Sequence, residues 1–405
     1  MNRCAHGVDR YAPMVTVHRT STSLDPKRKW LRWFETPHWI TRRLAARLVV
    51  VAACGGLAAS YFVTWRLWAP RSTPPNVALL GIVRNVPMGF ALIASLAVAC
   101  VRPKAGAGAH TALFVVALLG DQIRLQPEFF SLAILLIAGA WPASQMFVAR
   151  WHLTTLWIWA GVHKLLSLGW SLGGASFIAT TVHRPGWRSF IAWWVPLAEI
   201  ALGLLALWSR TWPVLGFVGA AFHLGVAAVL YVSHTNTAVW PWNVALACVI
   251  PLVFVREVSV PMAPRVASPV APRVRPSHFL TAVSMWLVLY PAGFYLGLSD
   301  AYPAHNLYSS NTAQASVCPI GQPNACSPAQ FGVYESLNVP IPPERRLFVS
   351  LFRRVCEPDT MLRIDGINTR LRSGRVEYVS CDRPALPARS VAPDASVGEA
   401  PRTTV

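Results

Sequence analysis

The sequence predicts an all-α polytopic membrane protein with about nine transmembrane helices (range 8–9) and a small disulfide-bonded α+β extracytoplasmic domain at its C-terminal end. Three observations carry this. Hydrophobic residues make up 54% of the 405 and charged residues only 13%, with a mean hydropathy of +0.41, which is far from the balance of a soluble domain. Apolar runs of the length a bilayer requires, roughly 17–25 residues, recur between Arg and Lys clusters. Four of the eight cysteines fall together near the C-terminus.

The chain opens with a basic segment, 1–43, carrying Lys27, Arg28, Lys29, Arg32, Arg42 and Arg43. More apolar runs follow the first one, so it reads as an uncleaved anchor and not as a signal peptide. The runs lie at about 44–64, 86–102, 106–122, 129–149, 151–167, 188–208, 211–232, 238–255 and 278–297. The first eight form a membrane bundle over 44–255. A Pro-punctuated linker, 256–277, contains Arg256, Arg265, Arg273 and Arg275 and leads to the last span, 278–297. Cations mark the cytoplasmic side. The N-terminal segment, Arg102 with Lys104, Arg150, Arg210 and the linker therefore all fall inside, while Arg66, Arg71 and Arg84 run against the trend. Nine crossings put residues from about 298 outside. The net charge of +19 reads as topology and attraction to anionic membrane lipid, and not as nucleic-acid binding.

Cys54, Cys100 and Cys248 sit in apolar runs as small hydrophobes, and Cys4 lies in the N-terminal arm. Cys318, Cys326, Cys356 and Cys381 share the oxidising side, which predicts two disulfides with three pairings open. No C-x-x-C occurs, and neither a metal nor a nucleotide motif is present. Within 298–385, "PPERRLFVSLFRRVC" predicts an amphipathic helix presenting Leu347, Phe348, Leu351, Phe352 and Val355. "MLRIDG" and "RVEYVSC" alternate as a hairpin turning at Ser373-Gly374. The ends 1–25 and 386–405 have disordered composition.

The chemistry is sought among ionisable groups inside the spans, because a charge at the bilayer centre costs at least about 2.5–3.5 kcal/mol and needs a partner or a function. Glu199 lies within "WWVPLAEIALGLLALW", His223 within "GFVGAAFHLGVAAVLYV", and Lys164 ends "WIWAGVHKLL". With a rise of about 1.5 Å per residue, all three fall at a similar depth, roughly 14–20 Å above the inner boundary. They are expected to converge. His163, about 100° around the helix, points elsewhere. Lysine has one property arginine lacks: burial can empty it of its proton, giving a base, although a nearby carboxylate opposes this and makes an ordinary buried salt bridge. Asp121 with Arg124, and Trp240 with Trp242, read as loop and interfacial anchors.

"WIWAGVHKLLSLGW", then "PLAEIALGLL", then "FHLGVAAVLYVSHTNTAVWPWNVAL", with "GDQIRLQPEFF" at 120–130 and "LYSSN" after the last span, resembles the HTTM family, bacterial membrane proteins related to vitamin K-dependent gamma-carboxylase. The resemblance covers roughly 40–310. It implies a bacterial plasma-membrane enzyme in which Lys164 is a base toward a quinol, Glu199 tunes it and His223 polarises or relays protons. Gln126, Pro127 and Glu128 stand where the carboxylase carries Asn-His, and the outer tail is far smaller than the carboxylase's. These departures point away from carboxylating a protein glutamate and toward a quinol or another lipid-soluble substrate. Two other classes fit the sequence: a non-enzymatic scaffold or partner of a secreted protein, and a proton-coupled transporter using the buried Glu and His.

Overall fold

The computed structural model describes residues 41–79, 87–255, 277–322, 325–367, 369–371 and 374–381. The basic N-terminal segment up to 40, Arg84, the linker at 256–276, Ser373 and the end from 382 lie outside the described residues.

A helix is found in each of the nine apolar runs. They are α1 (Arg42–Val63), α3 (Gly89–Val101), α4 (Pro103–Gly120), α5 (Pro127–Ala140), α6 (Pro142–Leu166), α8 (Arg188–Leu205), α9 (Trp212–Val232), α10 (Val239–Val253) and α11 (His278–Leu289). The short α2 (Trp65–Trp68) and α7 (Gly174–Thr181) lie between them, and a 3-10 stretch, Tyr290–Leu296, extends α11. Their starts follow local chemistry. Thr41 Oγ1 accepts from the Leu44 N–H, Ser277 caps α11, and Pro103, Pro127 and Pro142 occupy first-turn positions where no N–H is needed.

Among the described residues, four helical segments are long and apolar enough to cross a membrane: Arg43–Val63, Pro185–Leu205, Trp212–Val232 and His278–Leu296. Gly89–Val101, Pro127–Ala140 and Val239–Val253 are apolar but short; 13 residues in Gly89–Val101 rise about 20 Å, less than the hydrocarbon thickness. The outer faces are apolar, with Phe90, Trp193, Trp194, Phe217, Phe279 and Trp286 all more than half exposed, as expected of surfaces that meet lipid.

Three expectations need correcting. The break placed near Arg150 lies instead at Trp141, and α6 runs straight through Arg150. Pro142 starts the new helix, and Arg150 is accommodated inside it by donating from Nε to the Val253 carbonyl at 3.0 Å and stacking 4.2 Å from the Trp212 ring centroid. Asp121 and Arg124 are not surface anchors. Asp121 is fully buried, paired with Arg71 and 3.9 Å from Arg124, and accepts from the Val77 and Ile123 N–H groups. Trp242 is likewise buried, donating to Ser131 Oγ at 3.2 Å. Cys54 is buried as expected, but Cys100 and Cys248 are exposed on outward helix faces.

Beyond α11 the chain forms β1 (Gln314–Pro319), β2 (Ser327–Pro328), α12 (Val333–Leu337), α13 (Arg345–Val355), β3 (Thr360–Asp365) and β4 (Val376–Ser380). The strands make one antiparallel sheet ordered β2-β1-β3-β4, with Ser316 opposite Arg363 and Arg363 opposite Tyr378. The disulfides pair Cys318 with Cys326 and Cys356 with Cys381. The expected hairpin is β3–β4, joined by a longer loop that Gly366 N–H closes onto the Arg375 carbonyl at 2.9 Å.

Helix α13 faces two ways. Phe348 and Phe352 pack on the sheet with Leu362 and Ile364, while Leu347 and Leu351 join the core of the helical bundle. Val355, at the end of the helix, is exposed and does not share the apolar face. The helix thus contributes to two cores, one in the bundle and one under the sheet.

Glu344, at the start of α13, accepts from the Ala301 N–H at 2.7 Å, beside Asp300 and Arg346. Burial, helped by Asp300 and opposed by the Ala301 N–H and Arg346, pushes its carboxyl up to about 7. An acid raised on folding binds its proton more tightly in the native state, so its contribution is fully present below about 4.5 and lost as pH rises through about 7. Melting followed across that window is expected to show stability falling between about 4.5 and about 7 and levelling off above it. Glu344→Gln should remove that step and leave the rest of the profile in place.

Candidate functional site

Helix α8 approaches α6 closely because of two glycines. A Cβ at Gly161 would lie 2.5 Å from the Pro196 carbonyl oxygen, and one at Gly203 would lie 3.0 Å from that of Thr154. Pro196 itself sits inside α8 and has no N–H to give the Ala192 carbonyl one turn back. The Trp170 indole N–H takes that acceptor at 2.9 Å. The proline thus releases the acceptor that fixes the tryptophan ring.

These features seat a buried ion pair. Lys164, in the last turn of α6, and Glu199, in α8, are 6% and 7% exposed. The ammonium donates to Oε1 at 2.8 Å, to Oε2 at 2.9 Å and to the Ala160 carbonyl at 3.3 Å, and stands 5.5 Å from the Trp170 ring centroid. Its three hydrogens are all engaged.

His223 does not join them. Its Nε2 accepts from the Trp157 indole at 3.0 Å, which leaves Nδ1 to donate to Asn243 Oδ1 at 2.8 Å. Trp157 lies two turns before Lys164 on α6, about 10 Å along the axis. The expected three-way convergence therefore reduces to a pair. Because α6 begins at Pro142 and not near 151, Lys164 sits much further along it than the sequence boundaries implied. Helix α9 also packs mainly on α10 and only lightly on α8. His163 faces away from the pair, bonding Tyr295 Oη at 2.6 Å and the Ala304 carbonyl at 2.8 Å.

Sequence reasoning misses further buried polar residues. Glu128 in the first turn of α5, His152 on α6 and His305 after the last span are all buried. His152 Nε2 meets Ser131 Oγ at 2.8 Å, and its ring centroid is 5.4 Å from that of His305. In the sequence Glu128 reads as a helix-end residue, and His305 is distant along the chain, so no spacing connects them.

The segment following the last span is braced on the end of α6. Asn311 Nδ2 donates to the His163 carbonyl at 3.1 Å, Arg370 N–H to the Leu166 carbonyl at 2.9 Å, and Ser167 bridges Thr369. Beside this junction, between the start of α5, the α9–α10 connection and the C-terminal unit, is a cavity of about 570 Å³. A second, of about 490 Å³, is lined by Tyr295, Leu296, Thr369 and Arg375 among others. Among the described residues no cluster of His, Cys, Asp and Glu has the arrangement of a metal site.

No family model matches the chain, and neither a curated protein nor a solved structure matches it.

Removing one partner of a buried pair leaves an uncompensated charge, at a cost of about 3–5 kcal/mol. Glu199→Gln should therefore lower the melting temperature of the purified protein markedly. The double change Lys164→Met with Glu199→Leu should restore most of the loss, because two apolar side chains of similar volume leave nothing unpaired. A double variant no more stable than the single one would mean that the α6–α8 contact is held chiefly by something other than the pair.

Proposed function

We propose that this is a multi-pass membrane enzyme of the kind its resemblance to HTTM proteins implies, acting on a lipid-soluble substrate such as a quinol through the Lys164–Glu199 pair. The observation that carries this reading is the pair's geometry: an amine and a carboxylate in two-point contact, out of water, on neighbouring helices. In such surroundings separated charges lose their hydration, which narrows the gap between the ionic pair and the neutral amine with neutral acid. Shifting one proton from Nζ to Glu199 yields the neutral amine, the form that takes a proton from a hydroxyl substrate. His223 ties α6, α9 and α10 together in this reading and handles no proton. The proposed topology is nine crossings in a bacterial plasma membrane, with the N-terminus cytoplasmic and the disulfide-bonded unit outside, where its oxidised cysteines would persist.

A second reading is favoured by one observation: every hydrogen of the ammonium is already engaged, as in a purely structural pair. The chain would then be a membrane scaffold presenting its C-terminal unit to a secreted protein.

Lys164→Arg separates the two. Arginine keeps the charge and the carboxylate contact but does not give up its proton. In full-length protein reconstituted in nanodiscs with a short-chain quinol, the enzyme reading expects a wild-type change in the quinol absorbance spectrum. In Lys164→Arg that change slows by about 10²-fold or more while melting stays near wild type. A wild-type protein that leaves the quinol spectrum unchanged would support the scaffold, and a fully active Lys164→Arg protein would rule out Lys164 as the base.

A further inference from the structure

Buried polar side chains almost always find a hydrogen-bond partner, so those that do not mark places where something else is accommodated. Two residues with such atoms line the cavity of about 570 Å³, and a third is the chain neighbour of a lining residue. Asn306 and Asn236 line it, and Asn306 Nδ2 and Asn236 Oδ1 have no partner. Glu128 directly follows the lining residue Pro127, is 1% exposed, and has both carboxylate oxygens without a partner. Its position in the first turn of α5 favours a negative charge.

The rest of the wall is uncharged and includes three tyrosines. Tyr302, Tyr308 and Tyr334 line the cavity; Asn236 N–H donates to Tyr334 Oη at 2.7 Å, and Asn236 Nδ2 to Tyr308 Oη at 2.8 Å. Burial and then Glu128 push the phenol of Tyr302 upward. In a chain with 36 Lys and Arg, none is among the residues lining this cavity. A buried acid without a cation, a free amide acceptor and tyrosine faces are what an ammonium group binds to. The unpartnered Asn306 Nδ2 adds a donor, which an uncharged or anionic oxygen on the same ligand would accept.

We propose that this cavity binds a primary ammonium group borne next to an oxygen, the chemistry of ethanolamine, with Glu128 as counter-ion, Asn236 Oδ1 as acceptor and Asn306 Nδ2 as donor to the oxygen. Two sources share that chemistry: a free amino alcohol and an ethanolamine phospholipid headgroup. The site does not depend on the role given to Lys164.

The test is calorimetric titration of the full-length protein in phosphatidylglycerol nanodiscs with ethanolamine, and with ethylene glycol as its uncharged counterpart. Ethanolamine is expected to bind at least about tenfold more tightly, the usual worth of a charge-assisted bond. Choline, which has no N–H, should bind more weakly than ethanolamine. Glu128→Gln should abolish the preference for the amine, and Asn236→Leu, which leaves the carboxylate in place, should reduce it severalfold. Equal binding of ethanolamine and ethylene glycol, or a preference that persists in a folded Glu128→Gln protein, overturns the proposal. If Glu128→Gln does not fold, an unchanged preference in Asn236→Leu overturns it instead. Nanodiscs containing phosphatidylethanolamine distinguish the sources: suppressed ethanolamine binding assigns the lipid headgroup, and unchanged binding assigns the free amine.

Discussion

A lysine ammonium among apolar helices is tolerable only if a carboxylate reaches it, and much of the local architecture follows from that requirement. Glu199 must be carried within hydrogen-bond distance of Nζ, so α8 must lie closer to α6 than ordinary side chains permit. Gly161 and Gly203 provide that approach, with backbone oxygens standing where a Cβ would be. Pro196 contributes from the other side, since the carbonyl it leaves without a helical donor is the one that anchors Trp170 beneath the ammonium. The ion pair is therefore one end of a chain of dependencies that includes two glycines, a proline and a tryptophan.

The same end of α6 is where the C-terminal unit meets the bundle. Asn311, Arg370 and Thr369 all bond to the end of α6 around Lys164, and α13 places Leu347 and Leu351 in the bundle core while Phe348 and Phe352 serve the sheet. A helix that divides its apolar residues between two cores cannot leave either without exposing large hydrophobic area. The C-terminal unit is consequently a wall of the cavities and not an appendage, and the residues lining the cavity of about 570 Å³ come from both parts of the chain.

The legible features in the sequence are those written in one segment. Run lengths locate a helix in each of the nine regions, and the amphipathic spacing of 347–352 and the alternation after it give α13 and the β3–β4 pair. Charge as punctuation misleads at Arg150, where a carbonyl and a tryptophan face make a cation acceptable inside a helix. Lys164 and Glu199 are legible because an intramembrane charge is costly wherever it stands. Depth alone, however, does not say which way His223 faces around α9, and it faces Trp157 and Asn243. Glu128 and His305 are invisible for a different reason: each looks like an ordinary end residue until the chain returns after the last span and closes over it.

The two polar regions differ in a way that bears on what each can do. Around Lys164, His163 and His223, the charged or imidazole groups have their hydrogen bonds met from within the protein. A group so satisfied is held in one geometry and gains little from a ligand, so any chemistry there must proceed by moving a proton already held in the pair. Around Glu128, by contrast, buried donors and acceptors stand unmet beside a cavity. Since an unmet buried polar atom costs about 1–3 kcal/mol, a ligand that meets several of them at once recovers energy that folding left unrecovered. The proposed affinity and the proposed proton handling thus rest on different residues, the one on unmet polar atoms and the other on a satisfied pair.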